Sequence, residues 1–354
     1  MRINEVSINT ARTGKPRGRV LIIYTGGTFG MTYNDEGVLI PFDFSSILEQ
    51  LPILRNLQLD LTVASFDPPI DSSNINPDHW IVIGQLIKDH YNEYDGFLVL
   101  HGTDTMAYTA SALSFMLEGL NKPVIFTGAQ LPISEPRSDA RENLITALDI
   151  VTARKDGIPV IPEVCIYFDY ELLRGNRSKK TESMQFHAFD SGNYPPLAKA
   201  GVKIDYNHAF IQHWQGDVPL TFRSKLDHNI AILKLFPGIT RQTVKAVMHT
   251  EGLKAVVLET YGSGNAPTLD WLIDELRDAI KRGIIVLNIS QCSGGRVIQG
   301  RYETSRVFKE IGVLSGVDMT TEAAVTKLML LLGEYGPLTT RDLIGKPIAG
   351  ELTP

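Results

Sequence analysis

Residues 96–109, GFLVLHGTDTMAYT, constrain the chain more than any other stretch. Phe97, Leu98, Val99 and Leu100 form a short unbroken apolar run, the pattern of a strand buried on both faces. His101, Gly102, Thr103, Asp104 and Thr105 then make a tight polar turn. Beyond it Met106, Thr109 or Ala110, Leu113, Leu117 and Leu120 recur at helical spacing. Strand, polar turn and helix in that order are one step of an open α/β sheet. Such folds bind ligands at the carboxyl edge of their strands, where this turn lies. It offers hydroxyls, a carboxylate, an imidazole and the free N–H groups that open a helix. A plain helix cap needs one such side chain, and this turn has more.

The same order recurs. Residues 19–24 (RVLIIY) run into Thr25, Gly26, Gly27 and Thr28, and residues 123–126 run into Thr127, Gly128, Ala129 and Gln130. Three small polar turns at one edge of one sheet would line a single crevice. TGGT by itself reads equally well as a plain turn or hairpin, and it matches neither GxxxxGK[ST] nor GxGxxG. Residues 31–41, which include Tyr33, are turn-rich and suit a loop or hairpin over a site. Residues 45–51 suit a short helix and 59–66 a strand. After two prolines, Asp71, Ser72, Ser73 and Asn74 form a polar cluster whose plain reading is an Asx-turn before the next helix. Pro77 and Asp78 open that helix, with Trp80, Ile83, Leu86 and Ile87 facing inward. Residues 136–155 read as a helix with Ser138 as its N-cap, and 163–168 as a strand. The basic run 174–180 (RGNRSKK) reads as solvated surface.

A length of 354 residues suggests two domains. The expected fold class is α/β, with a larger N-terminal domain of mostly parallel sheet flanked by helices and a smaller C-terminal α/β domain. The expected boundaries are a flexible tail at 1–18, an N-terminal domain at 19–208, a linker at 209–228 and a C-terminal domain at 229–354. Within the last, strands are expected at 229–235, 255–259 and 283–288, and helices at 239–248, 269–282 and 321–332. The apolar run 328–332 fits a core or a subunit contact.

A net charge of −6 with no basic stripe argues against a nucleic-acid surface. Cys165 and Cys292 form neither a disulfide framework nor a zinc pattern and suit a reducing compartment. The polar N-terminal segment has no apolar core, and no run approaches a membrane span, so the expected location is the cytoplasm, without membrane contact. HExxH, GxSxG, CxxC and the Walker lysine are absent, and the eight histidines lack ligand spacing. Gly262-x-Gly264 resembles half a dinucleotide fingerprint, but Pro267 stands where the third glycine belongs. No metal and no cofactor are therefore expected. Hydroxyls, a carboxylate, a lysine and backbone N–H groups remain, a set that suits acyl transfer from a small amide or ester.

TGGT at 25–28, HGTDTM at 101–106 and TGAQ at 127–130 resemble the signature turns of the bacterial-type L-asparaginases, the asparaginase/glutaminase family. DSSN at 71–74, RGNR at 174–177, YGSGNAP at 261–267 and DMTTEAA at 318–324 are similar to its cytoplasmic type I branch. The resemblance runs from about Arg19 to Pro354. It implies hydrolysis of L-asparagine to L-aspartate and ammonia, by a homodimer or homotetramer, without metal or cofactor. Thr28 then matches the nucleophile, and Thr103, Asp104 and Lys180 match a Thr-Asp-Lys set. Asp71, Ser72 and Ser73 match the segment that holds the substrate's α-groups, with Asp104 also meeting its ammonium. Gly27, Gly102 and Ala129 supply backbone along the substrate. Asn265 matches an asparagine contributed by a neighbouring subunit. Val38 stands where many members carry a tyrosine that assists the nucleophile, which leaves Tyr33 and Tyr302 as two candidates. Some type I members bind asparagine at a second, allosteric site. Cys292 is kept there, whereas Lys179 replaces a small threonine.

Three other readings share these residues. A glutaminase would accept one methylene more, a difference of about 1–3 kcal/mol. The amidase subunit of a tRNA-dependent amidotransferase would need an N-terminal domain and a partner chain, and only a short segment precedes Arg19. A silent amino-acid sensor on the same fold would bind asparagine without releasing ammonia.

Overall fold

The computed structural model describes residues 2–10, 15–33, 39–41, 51–216, 218–300 and 303–354, with backbone alone at 32–33, 39–41 and 303–305. The expected helix at 45–51 falls almost wholly outside them. The chain divides into two compact units, Met1–Ser191 with Pro195–Phe222, and Gly192–Tyr194 with Arg223–Pro354. The segment read as a linker at 209–228 is thus shared between both units.

The first unit is built on a nine-stranded sheet. Its strands are β1 (Arg2–Asn9), β2 (Gly18–Tyr24), β3 (Leu59–Asp67), β4 (Gly96–Leu100), β5 (Val124–Thr127), β6 (Val164–Phe168), β7 (Glu171–Arg174), β8 (Ala198–Ala200) and β9 (Ile204–Tyr206). Their order is β1-β3-β2-β4-β5-β6-β7-β8-β9. From β3 to β6 every neighbouring pair is parallel. The outer pairs are antiparallel, so the expected parallel sheet is the centre of a mixed one. All residues of β4 and β6 are buried, which accounts for their unbroken apolar runs. Of three helices, α2 (Met106–Met116) and α3 (Ala140–Thr152) pack on this sheet, and α1 (Pro77–Asp89) packs on α2. Asn76 and His79 form a capping box at the start of α1, and Trp80, Ile83 and Ile87 are buried.

Two expectations are corrected here. Residues 2–9, assigned to a flexible tail, form β1, paired antiparallel with β3 from Arg2↔Asp67 to Asn9↔Asp60. Without β1, β3 would be an open sheet edge with unpaired backbone groups, and Ile8 is buried in closing it. The helix expected at 136–155 spans only Ala140–Thr152. Its N-cap is Asp139, whose carboxylate accepts hydrogen bonds from the N–H groups of Gln130 and Leu131, while Ser138 Oγ accepts from Ala140 N.

The second unit is a parallel sheet of β10 (Ile230–Lys234), β11 (Ala255–Thr260), β12 (Ile285–Ser290) and β13 (Leu314–Ser315). Its helices are α4 (Arg241–Met248), α5 (Asp270–Lys281), α6 (Glu303–Ile311) and α7 (Thr321–Leu343). Leu233, Val244, Met248, Leu258, Leu276 and Phe308 share one core cluster. α6 and β13 were not anticipated. α7 runs past the expected end at 332 and is broken at Gly336, where φ is 75° and Pro337 follows. Among the described residues no helix is long and apolar enough to cross a membrane.

Candidate active site

The register of the central strands decides which turns meet. Tyr24, Leu100 and Thr127 are paired across β2, β4 and β5, so all three chains leave the sheet side by side. Thr25 N donates to Leu100 O (3.0 Å), His101 N to Thr127 O (2.9 Å) and Ile70 N to Thr25 O (2.8 Å), which draws in the turn that follows β3. Two glycines allow the approach. A Cβ on Gly27 would lie 2.5 Å from Gly102 Cα, and one on Gly102 would lie 2.6 Å from Ser72 Oγ. Thr105 stands at the N-cap of α2 but makes no side-chain cap bond; its hydroxyl donates to Ser72 O at 2.7 Å.

Lys180, on the short ladder with Phe189, reaches the second of these turns. Its Nζ donates to Thr103 Oγ1 and to Asp104 Oδ1, each at 2.7 Å. The lysine side chain is 17% exposed and the Asp104 side chain 64% exposed. The RGNR run before it is not solvated surface: Arg174, Asn176, Arg177 and Ser178 are all buried. The Arg174 guanidinium pairs with Glu163 (Nε to Oε2, 2.6 Å) and donates to Phe210 O (2.9 Å). Ser178 Oγ donates to Arg174 O and Ser191 Oγ to Arg177 O. Buried cations with such partners cost far less than bare ones, which is how a basic run enters an interior. Lys179 and Lys180 then pair with Asp190 and Phe189 in a short antiparallel ladder.

Ser72–Asn74 is a single 3-10 turn. Asp71 Oδ1 accepts from Ser73 N (2.9 Å) and Ser73 Oγ (2.7 Å), bonds that hold the Asp71 carboxyl below its ordinary range. Ser72 is buried, while Asp71 and Ser73 are exposed. His101, the imidazole of the second turn, faces the interior at 1% exposure. Its Nδ1 lies 2.7 Å from Gly102 O, which can only accept, so Nδ1 carries the proton. Thr109 Oγ1 lies 2.9 Å from Nε2 and receives a bond from Trp80 Nε1 at 3.1 Å. Burial, with a smaller push from His79, outweighs the Gly102 carbonyl and lowers the His101 pKa to about 4.

Thr28 is half-buried at the start of the single 3-10 turn Thr28–Gly30, directly after Gly27. Ala129 is buried in the third turn, and Lys179 is half-buried beside Lys180. Thr103, Asp104 and Lys180 thus meet in direct hydrogen bonds, with the Gly27 and Ser72 turns packed against Gly102. Asn265 and Cys292 belong to the second unit. Asn265 closes a turn by a bridge to Tyr261, and Cys292 is exposed, its N–H donating to Ser290 Oγ. Tyr33 is described in backbone only, on a ladder that pairs Met31–Tyr33 with Leu39–Pro41. Tyr302 and Val38 lie outside the described residues. Sequence reasoning passed over Gln130 and Asp139. Asp139 lacked any signal, whereas Gln130 ends the TGAQ motif itself. Among the described residues no cluster of His, Cys, Asp or Glu could hold a metal.

Comparison with known proteins bears on both units. Residues 19–212 match the family model "Asparaginase, N-terminal" and residues 229–341 match "Glutaminase/Asparaginase C-terminal domain". The chain is 41% identical to L-asparaginase 1 of Escherichia coli K12 over 342 residues, covering 95% of this chain and 98% of that protein. It is 42% identical to the 60 kDa lysophospholipase of Homo sapiens over 369 residues, covering 97% of this chain but 63% of that longer protein. The crystal structure of L-asparaginase I from Vibrio cholerae superposes with a TM-score of 0.86 at 36% identity, covering 96% of this chain and 100% of that one.

Proposed function

The chain belongs to the asparaginase family, and from that membership we propose that it is an L-asparaginase, hydrolysing the side-chain amide of L-asparagine to L-aspartate and ammonia. The observation that carries this reading is the direct bonding of Lys180 to both Thr103 and Asp104 in a crevice walled by the Gly27 and Ser72 turns.

The substrate is small and zwitterionic, so its site must answer both charges. Ser72, Ser73 and the turn around Asp71 serve the α-carboxylate and α-ammonium. Asp104 gives one oxygen to Lys180 and has the other to offer the ammonium. Thr28 is the proposed nucleophile: its Oγ1 adds to the amide carbon, the tetrahedral oxyanion is met by backbone N–H groups near Ala129, and ammonia departs with a proton. Water then hydrolyses the ester to aspartate and regenerates the Thr28 hydroxyl. Thr103, Lys180 and Asp104 form the hydrogen-bonded set through which protons move beside the amide. Either Tyr33 or Tyr302 assists Thr28 in this scheme, Asn265 completes the site from a neighbouring subunit, and the enzyme works as a homo-oligomer in the cytoplasm.

A coupled ammonia assay over a wide asparagine range tests the reading. Thr28→Ala and Thr103→Ala are each expected to lower kcat by a thousandfold or more while the circular dichroism spectrum stays that of the parent. Full activity in Thr28→Ala rejects the nucleophile. Saturable heat on asparagine addition without ammonia would instead identify a sensor. Rates on glutamine, one methylene longer, distinguish a glutaminase.

A further inference from the structure

We propose that Gln130 is a positioning residue for Thr103, a role that rests on the asparaginase reading above. Gln130 follows the third turn, and its backbone is fixed: its N–H donates to both carboxylate oxygens of Asp139, at 3.1 and 3.0 Å. Its side chain bridges two parts of the crevice. Nε2 donates to the carbonyl of Gln185 at 2.9 Å, and Oε1 lies 3.4 Å from Thr103 Oγ1.

The orientation of that amide follows from hydrogen-bond chemistry. A backbone carbonyl only accepts, so the end of Gln130 that meets Gln185 must be the NH2 group, and the end that meets Thr103 must be the oxygen. The Thr103 hydroxyl is constrained in turn. Lys180 Nζ donates into Thr103 Oγ1, so the hydroxyl's own proton has to find an acceptor elsewhere, and Gln130 Oε1 is placed to take it. Thr103 therefore has its lone pairs toward Lys180 and its proton toward Gln130. At 3.4 Å this is the longest of the bonds that Thr103 and Gln130 make here. The link to Gln185 has a second effect. Gln185 sits in the segment between the two strands of the ladder that carries Lys180, where Thr181 N also donates to Ala188 O. Residues 181–185 are exposed, Met184 to 90%, so the bond from Gln130 is a tie between an exposed segment and the crevice wall.

The test uses two variants of the full chain. Gln130→Met keeps length and volume but deletes both hydrogen bonds; Gln130→Glu keeps an acceptor for Thr103 and loses the donor to Gln185. Gln130→Met is expected to lower kcat on asparagine tenfold or more with KM within threefold, because the α-group contacts are untouched. Gln130→Glu is expected to recover kcat to within threefold of the parent. In both, amide hydrogen exchange across 181–188 should quicken at least tenfold, while β4 and α2 keep parent protection and report an intact fold. Parent-like kcat in Gln130→Met, a loss confined to KM, equal kcat losses in the two variants, or unchanged exchange at 181–188 each overturn the proposal. If Gln130→Met fails to fold, Gln130→Glu decides alone: kcat near the parent with fast exchange supports the role, and a tenfold loss or slow exchange rejects it. A parent protein that releases no ammonia refutes the asparaginase reading instead, a result distinct from all of these.

Discussion

Both ring nitrogens of His101 are engaged inside the protein, one by its neighbour's carbonyl and one by Thr109, and this fixes the backbone from which Thr103 and Asp104 project. The residue sits in the turn proposed to carry the chemistry, and its observed bonds hold that turn in place. Its pKa gives a measurable consequence. In the folded chain His101 stays neutral down to about pH 4, whereas an unfolded histidine takes up its proton near pH 6.5. Between those values the unfolded state binds more protons, so stability falls as pH falls. Above pH 6.5 both states are neutral and the contribution vanishes. Roughly 3 kcal/mol should be lost between pH 7 and pH 4 from this group. Urea unfolding of the parent and of His101→Gln over that range measures it: the variant should be less stable at pH 7 and show a shallower acid slope by about that amount. Parallel slopes would reject the assignment.

At the scale of elements, the site depends on how β6 and β7 hand the chain to Lys180. β7 ends in Arg174, and the turn after it is threaded through the interior because Glu163 neutralises that guanidinium. Glu163 also accepts the N–H of Gln212 at 2.7 Å, so one carboxylate ties together the start of β6, the end of β7 and the segment beyond β9. Glu163→Ala leaves a buried cation without its counter-charge and is expected to cost about 3–5 kcal/mol in chemical unfolding. The double change Glu163→Met with Arg174→Leu should recover part of that loss, because packing replaces the charges while Gln212 N–H and Phe210 O lose these partners. A single variant as stable as the parent would show that the pair is not structural. Activity should fall with stability in the single variant, since the ladder bearing Lys180 follows directly.

At the scale of the molecule, a second buried ion pair ties down residues near the end of the chain. Lys327 lies in the apolar half of α7 with no exposed surface. Its Nζ meets Glu351 Oε1 at 2.5 Å and donates to Ile344 O and Lys346 O. Glu351 accepts in turn from the N–H groups of Ile348 and Ala349. Lys327→Met strands a buried carboxylate and is expected to destabilise the second unit by about 3–5 kcal/mol. Hydrogen exchange of the α7 amides checks this: protection should drop there and stay at parent levels in β4 and α2. No change in α7 would mean that residues 344–351 are held by other contacts.

Local pattern settled the parts of this protein whose physics is local. Unbroken apolar runs required strands buried on both faces, and small polar residues after them required turns at one sheet edge. Those two facts placed β2, β4 and β5 and the polar turns that leave them at a common edge. What the pattern left open were interactions between residues remote in the chain, where the energy of a group depends on a partner that spacing does not reveal. RGNRSKK read as surface because charge alone favours water, and only folding brought Glu163 to Arg174 and Thr103 with Asp104 to Lys180. Residues 2–9 read as a tail because their stability comes from an edge of β3 more than fifty positions away. His101 and Lys327 show the same division: sequence supplies an ionisable group, and the tertiary structure, by burying it and choosing its partners, decides its charge and its use.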